Sequence, residues 1–491
     1  MQKDIILSTL NSRYAHASFG LRYLYANLGK FQEQTKILEF IINKNPEDIV
    51  EEILKFNPKI VGFGIYIWNT IQMYEVISTL KKIAPEIIVV LGGPEISYEA
   101  ETQALTKISD YVIKGEADFL FYEFCEQVLN KNLPEQKIIS GSLPDIKKIK
   151  LPYQYYSAED IAHRIIYVEA SRGCPYKCEY CLSSLDKSVR NFDEDQFLQE
   201  ISMLIEKGAR QFKFVDRTFN LSPTISTKIL NFFLERIQVG LFLHFEMVPD
   251  RLPDELKNLI KQFPKGSLQF EIGIQTMNPE VAKNVSRRQD YEKIKENFQF
   301  LNVETGVHTH ADLIVGLPGE DLKSFAKGFD ELTTYKPDEV QVGILKRLKG
   351  TPISRHDQKF SMVYSDVSPF QILRNKDLDY PTLQKMNRFA QYWDLVGNSG
   401  NFQKVMEYFK TEAIHRYDNS LFSLIWDLSE FLFEKHGQAH AISLQNLQKS
   451  VVAFLINRFS FTEDVAMEFV ARKTEIQSVV ATPKRQQKHL S

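Results

Sequence analysis

Ser171-Arg-Gly-Cys-Pro-Tyr-Lys-Cys-Glu-Tyr-Cys-Leu182 carries three of the four cysteines in a chain of 491 residues, separated by three residues and then by two. Thiolates this close together can hold an iron–sulfur cluster, the soft-ligand site that sulfur favours. Three are one short of the usual four for a cubane, which leaves one iron open to another ligand. Two other readings stand beside it. A structural zinc would need a fourth ligand from elsewhere, and three unconnected buried thiols would need no metal at all. An aromatic residue, Tyr180, directly precedes the third cysteine.

The surroundings of this loop are those of a strand mouth. Ile165-Ile-Tyr-Val-Glu-Ala170 reads as a short strand delivering it. Phe197, Ile201, Leu204 and Ile205 then form a helical stripe that Gly208 closes. Gln211 to Asp216 alternates as a second strand, and Ser222-Pro223 suits the start of a helix reaching Ile237. Further strands are predicted at Leu241–Val248, Leu268–Gln275, Thr309–Val315 and Glu339–Leu345. Six strands, each followed by a helix, fit a partial or complete β/α barrel, whose chemistry sits on the loops at the strand C-terminal ends. Polar residues interrupt the apolar runs there: Asp216 and Arg217, Glu246, Glu271, Gln275 and Asp312. One such residue marks only where solvent begins; a succession of strands doing so implies a common mouth.

Upstream, apolar runs at Ile5–Leu7, Lys36–Ile42, Ile60–Ile67, Ile87–Leu91 and Tyr111–Glu116 alternate with helical patterns. Continuous apolar strands between helices predict a parallel, doubly wound (Rossmann-like) sheet, with ligands at the strand carboxyl ends. Gly92, Gly93 and Gly115 fall at those ends, and Glu116 follows the last of them. Pro134, Gly141, Pro144 and Pro152, with lysines between them, break periodicity and read as a linker. Beyond Leu348 the strand pattern stops, and Leu421–Phe433 and Val451–Phe459 are helical stretches. The expected division is an α/β unit over 1–135, a linker over 136–164 and a barrel over 165–355. A mostly helical region over 356–480 and a disordered basic tail over 481–491 complete it.

The cysteine string resembles the signature of the radical S-adenosylmethionine enzymes, in which the open iron binds the cofactor's amino and carboxylate groups. The resemblance implies a [4Fe-4S] cluster on Cys174, Cys178 and Cys181, with Tyr180 beside S-adenosylmethionine. Phe214-Val-Asp-Arg-Thr-Phe219 resembles the segment facing the cofactor's amino group and thus implicates Asp216. Glu246 sits at the end of the next strand. Phe270-Glu-Ile-Gly-Ile-Gln-Thr276 with Arg287-Arg288 is similar to the ribose and carboxylate region, implicating Glu271, Gln275 and Arg287. Asp312-Leu-Ile-Val-Gly-Leu-Pro-Gly-Glu320 is similar to the segment near the adenine. Leu91-Gly-Gly-Pro-Glu95 followed by Gly115-Glu116 looks like the cobalamin-binding domain that precedes the barrel in one large subfamily. One departure bears on the metal. Ser12-Arg-Tyr-Ala-His-Ala-Ser-Phe-Gly20 lacks the aspartate two residues before the histidine that accompanies histidine-ligated cobalt. Cobalamin without a protein imidazole below the metal is therefore expected, with His16 as the alternative ligand.

The function implied is a cobalamin-dependent radical enzyme, reduced by a flavodoxin or ferredoxin-type donor, that methylates or rearranges an unactivated carbon of an unknown substrate. A methylthiotransferase acting on transfer RNA would bring three further N-terminal cysteines, and Cys125 stands alone there. A non-catalytic cobalamin or redox sensor is the third reading. Net charge of −3, 43% apolar and 25% charged residues describe an ordinary globular chain with no strong nucleic-acid signal. No apolar run approaches the roughly 18–20 residues that span a bilayer, and a cytoplasmic protein is expected.

Overall fold

Helices cover both faces of the first sheet, so its strands are apolar along their whole length rather than every second residue. In the computed structural model, which describes residues 2–470, all seven residues of β1 (Ile5–Asn11) are buried. The sheet continues with β2 (Thr35–Ile41), β3 (Ile60–Gly64), β4 (Ile88–Gly92), β5 (Tyr111–Lys114) and β6 (Ile138–Ser140). All pairs are parallel, in the order β2-β1-β3-β4-β5-β6. The order reverses between β1 and β3, so the ligand crevice expected of such a sheet opens beyond their carboxyl ends.

The segment 136–164, expected as a linker, is folded. Ile138–Ser140 adds the sixth strand to the first sheet. Ile146, Ile149, Leu151, Tyr153 and Tyr156 are buried in the core of the following unit. Ser157 and Asp160 form a capping box on the helix Ala158–His163. Asp160 also meets the buried Arg22 at 2.8 Å, and Arg22 meets Glu39 of β2 at 2.7 Å. Proline and lysine break periodicity here without loosening the chain, because tyrosine and isoleucine between them have a core to enter.

The second sheet begins with β7 (Ile166–Val168). A two-residue antiparallel ladder, β8 (Ser171–Arg172) with β9 (Arg190–Asn191), closes the base of the cysteine loop. Then come β10 (Gln211–Phe214), β11 (Phe242–Met247), β12 (Leu268–Gln275), β13 (His308–Val315) and β14 (Glu339–Ile344). They run parallel in the order β7-β10-β11-β12-β13-β14, and β14 does not return to β7, so the barrel is partial. Its open edge is covered by the helical C-terminal region. The Trp393 indole N–H donates to the Val340 carbonyl at 2.7 Å, and the Asn398 amide both donates to and accepts from Val340. Pairing an edge strand with side chains in this way removes a template for unwanted strand addition. Helices over Tyr380–Trp393, Gln403–Arg416, Leu421–His436, Leu444–Phe459 and Glu463–Val470 follow. The expected basic tail and the end of the helical region lie outside the described residues.

Candidate active site between the two sheets

The cysteine loop leaves β7 and is held in shape by its backbone. Gly173 has φ +93°, and a Cβ there would lie 2.0 Å from the Ser188 carbonyl oxygen, so the residue before the first cysteine has to be glycine. The Cys174 N–H donates to the Asp186 carbonyl at 2.9 Å, and the Ser184 hydroxyl lies 2.9 and 2.7 Å from the carbonyls of Cys178 and Cys181. All three thiols are free, Cys174 and Cys178 buried and Cys181 half-buried. Burial raises the pKa of the Cys174 thiol, and the neighbouring Cys181 and Cys178 raise it further. Such a set turns to thiolates only when a cation takes the place of the protons. That is the chemistry of a three-thiolate cluster site. Among the described residues no three His, Cys, Asp or Glu converge on one point as ligands of a single ion would. Separate irons of one cluster need the wider placement.

Three side chains fasten the loop to the barrel. The Asp216 carboxylate accepts from the Ala170 N–H at 3.0 Å and the Ser171 hydroxyl at 2.6 Å, and burial pushes its pKa up to about 7. Glu179, buried between two of the cysteines, accepts from Ser286, from Arg355 and, at 2.7 Å, from His356. The Arg287 guanidinium points at the Cys178 sulfur at 3.5 Å and the Tyr180 hydroxyl at 3.3 Å, and donates to the Gly273 carbonyl and to Gln289. Asp216, expected to face the cofactor, thus has both carboxylate oxygens engaged by the start of the loop, and Arg287, also so expected, divides its donors between the loop, Gly273 and Gln289. Gln275 lies at φ +72°, beside a register shift of β12 against β13 between Gly273 and Gln275. Such bulges and strained backbones collect at barrel rims next to chemistry.

The inner face of the barrel is polar from strand to strand. Tyr167, Lys213 and His244 occupy paired positions on β7, β10 and β11, and Glu271 pairs with His310 on β12 and β13. Lys213 and Glu271 stay 29% exposed although their strand neighbours are buried, so both face an open lumen. Glu271 accepts from His244 Nε2 at 2.8 Å and lies 3.4 Å from Lys213. Burial would raise its pKa, but the His244 hydrogen bond and the Lys213 charge outweigh this and hold it well below the usual carboxylate range. Burial lowers the pKa of His244, against the pull of its hydrogen bond to Glu271. Above this layer Arg217 pairs with Glu246 at 2.9 Å, and its charge is favoured first by Glu246 and then by Cys181. The structure thus groups Glu246, Glu271 and Asp312 with Lys213, His244 and His310, which the sequence reading passed over. Their position at inward-facing alternate residues was the available signal. A cleft of about 580 Å³ between the outer helices Asp254–Ile260 and Tyr291–Glu304 shares none of these residues.

The glycine loops of the first sheet face the barrel. Gly93 has φ +108° and packs so closely on β3 that a Cβ would lie 2.6 Å from the Ile65 carbonyl oxygen. The Ser97 hydroxyl donates to the Gly93 carbonyl at 2.8 Å and accepts from the Gly115 N–H at 3.0 Å, joining the two turns. Gly92 ends β4. Glu116, expected as a cofactor residue, instead pairs with Arg172 at 2.8 Å and with Arg190, on the two strands that base the cysteine loop. Around the rest of the rim, Glu99 pairs with Arg347 at 3.1 Å, Glu95 with Lys349, and His16 Nδ1 lies 2.6 Å from the Tyr167 hydroxyl. Burial lowers the His16 pKa, with Lys213 and Arg13 acting in the same sense.

Comparison with known proteins agrees with this division. Residues 168–332 match the radical SAM superfamily, residues 7–124 the B12 binding domain, and residues 358–479 a family described as a protein of unknown function, DUF4080. The chain joins a B12 binding domain to a domain of the radical SAM superfamily. Its cofactors are S-adenosylmethionine, a [4Fe-4S] cluster and cobalamin. An uncharacterized methyltransferase of Pyrococcus horikoshii is 26% identical over 332 residues, 61% of this chain and 70% of that protein. A ribosomal protein uS12 methylthiotransferase of Leptospira biflexa is more distant, 22% identical over 238 residues, 47% of this chain and 52% of that protein. The fold is that of the cobalamin-dependent S-adenosylmethionine radical enzyme OxsB, with TM-score 0.65 and 13% identity across 96% of this chain and 83% of that one. The radical S-adenosylmethionine methyltransferase TsrM of Kitasatospora setae has TM-score 0.61 and 14% identity across 75% and 78%. No helix among the described residues is long and apolar enough to cross a membrane.

Proposed function

We propose that this radical S-adenosylmethionine enzyme transfers a methyl group to an unactivated carbon of a polar substrate held in the barrel lumen, in the cytoplasm. The observation that carries the reading is the meeting of a three-thiol loop with the glycine turns of a doubly wound sheet, locked together through Glu116, Arg172 and Arg190. When bound, the cofactors supply a hydrogen-abstracting radical from S-adenosylmethionine and a transferable methyl group from cobalamin. Everything else falls to the chain. Cys174, Cys178 and Cys181 hold the cluster, with Arg287 as a fixed positive charge beside Cys178 and Tyr180. Gly92, Gly93 and Gly115 give the corrinoid's nucleotide tail room against the backbone. His16 is drawn to Tyr167 on the barrel side, so we assign the cobalt no protein imidazole.

The lumen's paired charges, Lys213 with Glu271 and Arg217 with Glu246, suit a hydrogen-bonding substrate better than a hydrocarbon. An electron donor of the flavodoxin or ferredoxin type is the proposed partner. The test is anaerobic reconstitution with reductant and S-adenosylmethionine, read as 5′-deoxyadenosine, followed by metabolite profiling of a deletion strain for an unmethylated compound. Absence of deoxyadenosine with every donor and extract would leave the sensor reading in its place.

A further inference from the structure

Several of the groups that lock the two units together make contacts beyond those the proposed function draws on. The most completely determined of them is Arg172, two residues before the first cysteine. Its Nε donates to Glu169 at 2.9 Å, Nη1 to Glu116 and to Asp118 at 2.8 Å each, and Nη2 to Asp118 at 3.1 Å. Its guanidinium also lies over the rings of Tyr23, at 4.6 Å, and Phe192, at 5.5 Å. Glu116, Asp118 and Tyr23 belong to the first unit; Glu169 and Phe192 belong to the barrel. The side chain is 13% exposed and all three of its nitrogens donate.

We propose that Arg172 is a positioning residue that couples corrinoid binding on the first sheet to the cysteine loop's hold on its cluster. The inference rests on the function proposed above. Glu116 directly follows Gly115, whose N–H is tied through Ser97 to the carbonyl of Gly93. Settling a ligand on these turns therefore fixes the Glu116 carboxylate. That carboxylate holds Arg172 on β8 and Arg190 on β9, the two strands at the base of the loop. From Arg172 the chain passes to Gly173, with no slack against Ser188, and then to Cys174. From Arg190 it passes to Asp186, at 3.0 Å, whose carbonyl accepts the Cys174 N–H. Both routes end on the first cysteine. A planar guanidinium with fixed donor directions transmits a displacement that a flexible ammonium would absorb. Linkage then demands reciprocity: if the corrinoid tightens the cluster, the cluster tightens the corrinoid by the same factor.

The experiment uses the full chain, prepared anaerobically with and without reconstituted iron and sulfide, and hydroxocobalamin as the probe. In the wild type the cluster should tighten cobalamin binding by roughly fivefold or more, the lower range of measured allosteric couplings. Cobalamin should slow removal of iron by a chelator in the same preparation. In Glu116→Gln with Asp118→Asn, both cofactors should still bind singly, with the ratio of cobalamin affinities close to one. Arg172→Lys, which keeps the charge but not the fork, should also lose the coupling while retaining iron. Equal cobalamin affinity with and without cluster in the wild type, or full coupling in either variant, would overturn the inference. A wild-type chain that bound neither cofactor would instead overturn the proposed function, and the inference with it.

Discussion

The two sheets have six parallel strands each, yet they use sequence in opposite ways. In β1, Ile-Ile-Leu-Ser-Thr-Leu-Asn is buried throughout, whereas in β12, Leu-Gln-Phe-Glu-Ile-Gly-Ile-Gln alternates buried and half-buried at every step. Helices pack on both faces of the first sheet, so its chemistry can sit only beyond the strand ends, on turns such as Gly92-Gly93 and Gly115-Glu116. The second sheet curls, turning one face into a lumen. Alternate residues of its strands then carry Lys213, His244, Glu271 and His310 deep inside. On the proposed function, one sheet presents a cofactor at its edge and the other encloses a reaction on its face, with the cysteine loop where edge meets mouth.

The largest effect should come from the loop. Replacing Cys174, Cys178 and Cys181 together by alanine should remove the iron and all deoxyadenosine production, with Cys125→Ala sparing both; iron analysis and chromatography read the outcome. Iron retained in the triple variant would place the cluster elsewhere and dissolve the comparison. Next come the paired glycines. Gly173→Ala forces a side chain into φ +93° and against a carbonyl oxygen. The backbone strain alone is about 1–3 kcal/mol, so the iron content of reconstituted protein should fall by more than half (an order-of-magnitude expectation from that strain). Gly93→Ala makes the same intrusion, against the Ile65 carbonyl, on the other sheet. In protein reconstituted without cobalamin it should leave the iron content unchanged, and it should weaken the cobalamin binding that follows. Iron loss in Gly93→Ala would mean that the two edges are not separable.

The division into two sheets was legible because the period of burial differs, and the three cysteines stood out as a candidate cluster site because thiols so spaced have few other uses. What stayed hidden depends on residues distant in sequence. Glu116 follows a turn glycine and so reads as a ligand contact; only the fold brings Arg172 and Arg190, 56 and 74 positions away, to its carboxylate. Asp216 meets the Ala170 N–H and the Ser171 hydroxyl, and Arg287 meets the Cys178 sulfur, the Tyr180 hydroxyl and the Gly273 carbonyl, partners that no side-chain pattern announces. His244 and Lys213 could have been found by parity, being on the inward side of strands whose outward residues are Phe and Leu. The segment 136–164 was misread because broken periodicity means irregular backbone, which need not be loose.

A smaller effect tests the lumen itself. Glu271→Ala should strand His244 and Lys213 beside one another and lower the apo protein's stability by about 1–2 kcal/mol, measured by urea unfolding at pH 7. Its native carboxyl is held below the unfolded value, so the wild-type advantage is present above about pH 4.3 and is lost as pH falls through the lower native value. An unchanged midpoint at pH 7 would mean that the lumen charges are solvated separately and do not form a layer.

An effect of the same order, seen only as a change with pH, concerns Glu320, which is 2% exposed at the end of the loop after β13. Its Oε1 accepts from the Thr276 hydroxyl at 2.6 Å, its Oε2 has no hydrogen-bond partner among the described residues, and burial pushes its pKa up to about 7. Here the sign is opposite to that of Glu271. The native carboxyl binds its proton more tightly than the unfolded one, so the contribution to stability is greatest below about pH 4.3 and is lost as pH rises through about 7. Between pH 5.5 and pH 8 the wild-type apo protein should lose about 2 kcal/mol at this residue, from roughly 1.5 pK units at 1.36 kcal/mol each. Glu320→Gln keeps an acceptor for Thr276 and carries no charge at any pH. Its unfolding free energy should therefore fall less over that interval, by about the same 2 kcal/mol. Parallel pH profiles for variant and wild type would show that Glu320 ionises in the native state as readily as in the unfolded chain. The carboxyl would then have to reach water through the barrel rim, and the boundary between dry wall and wet mouth would lie deeper than Thr276.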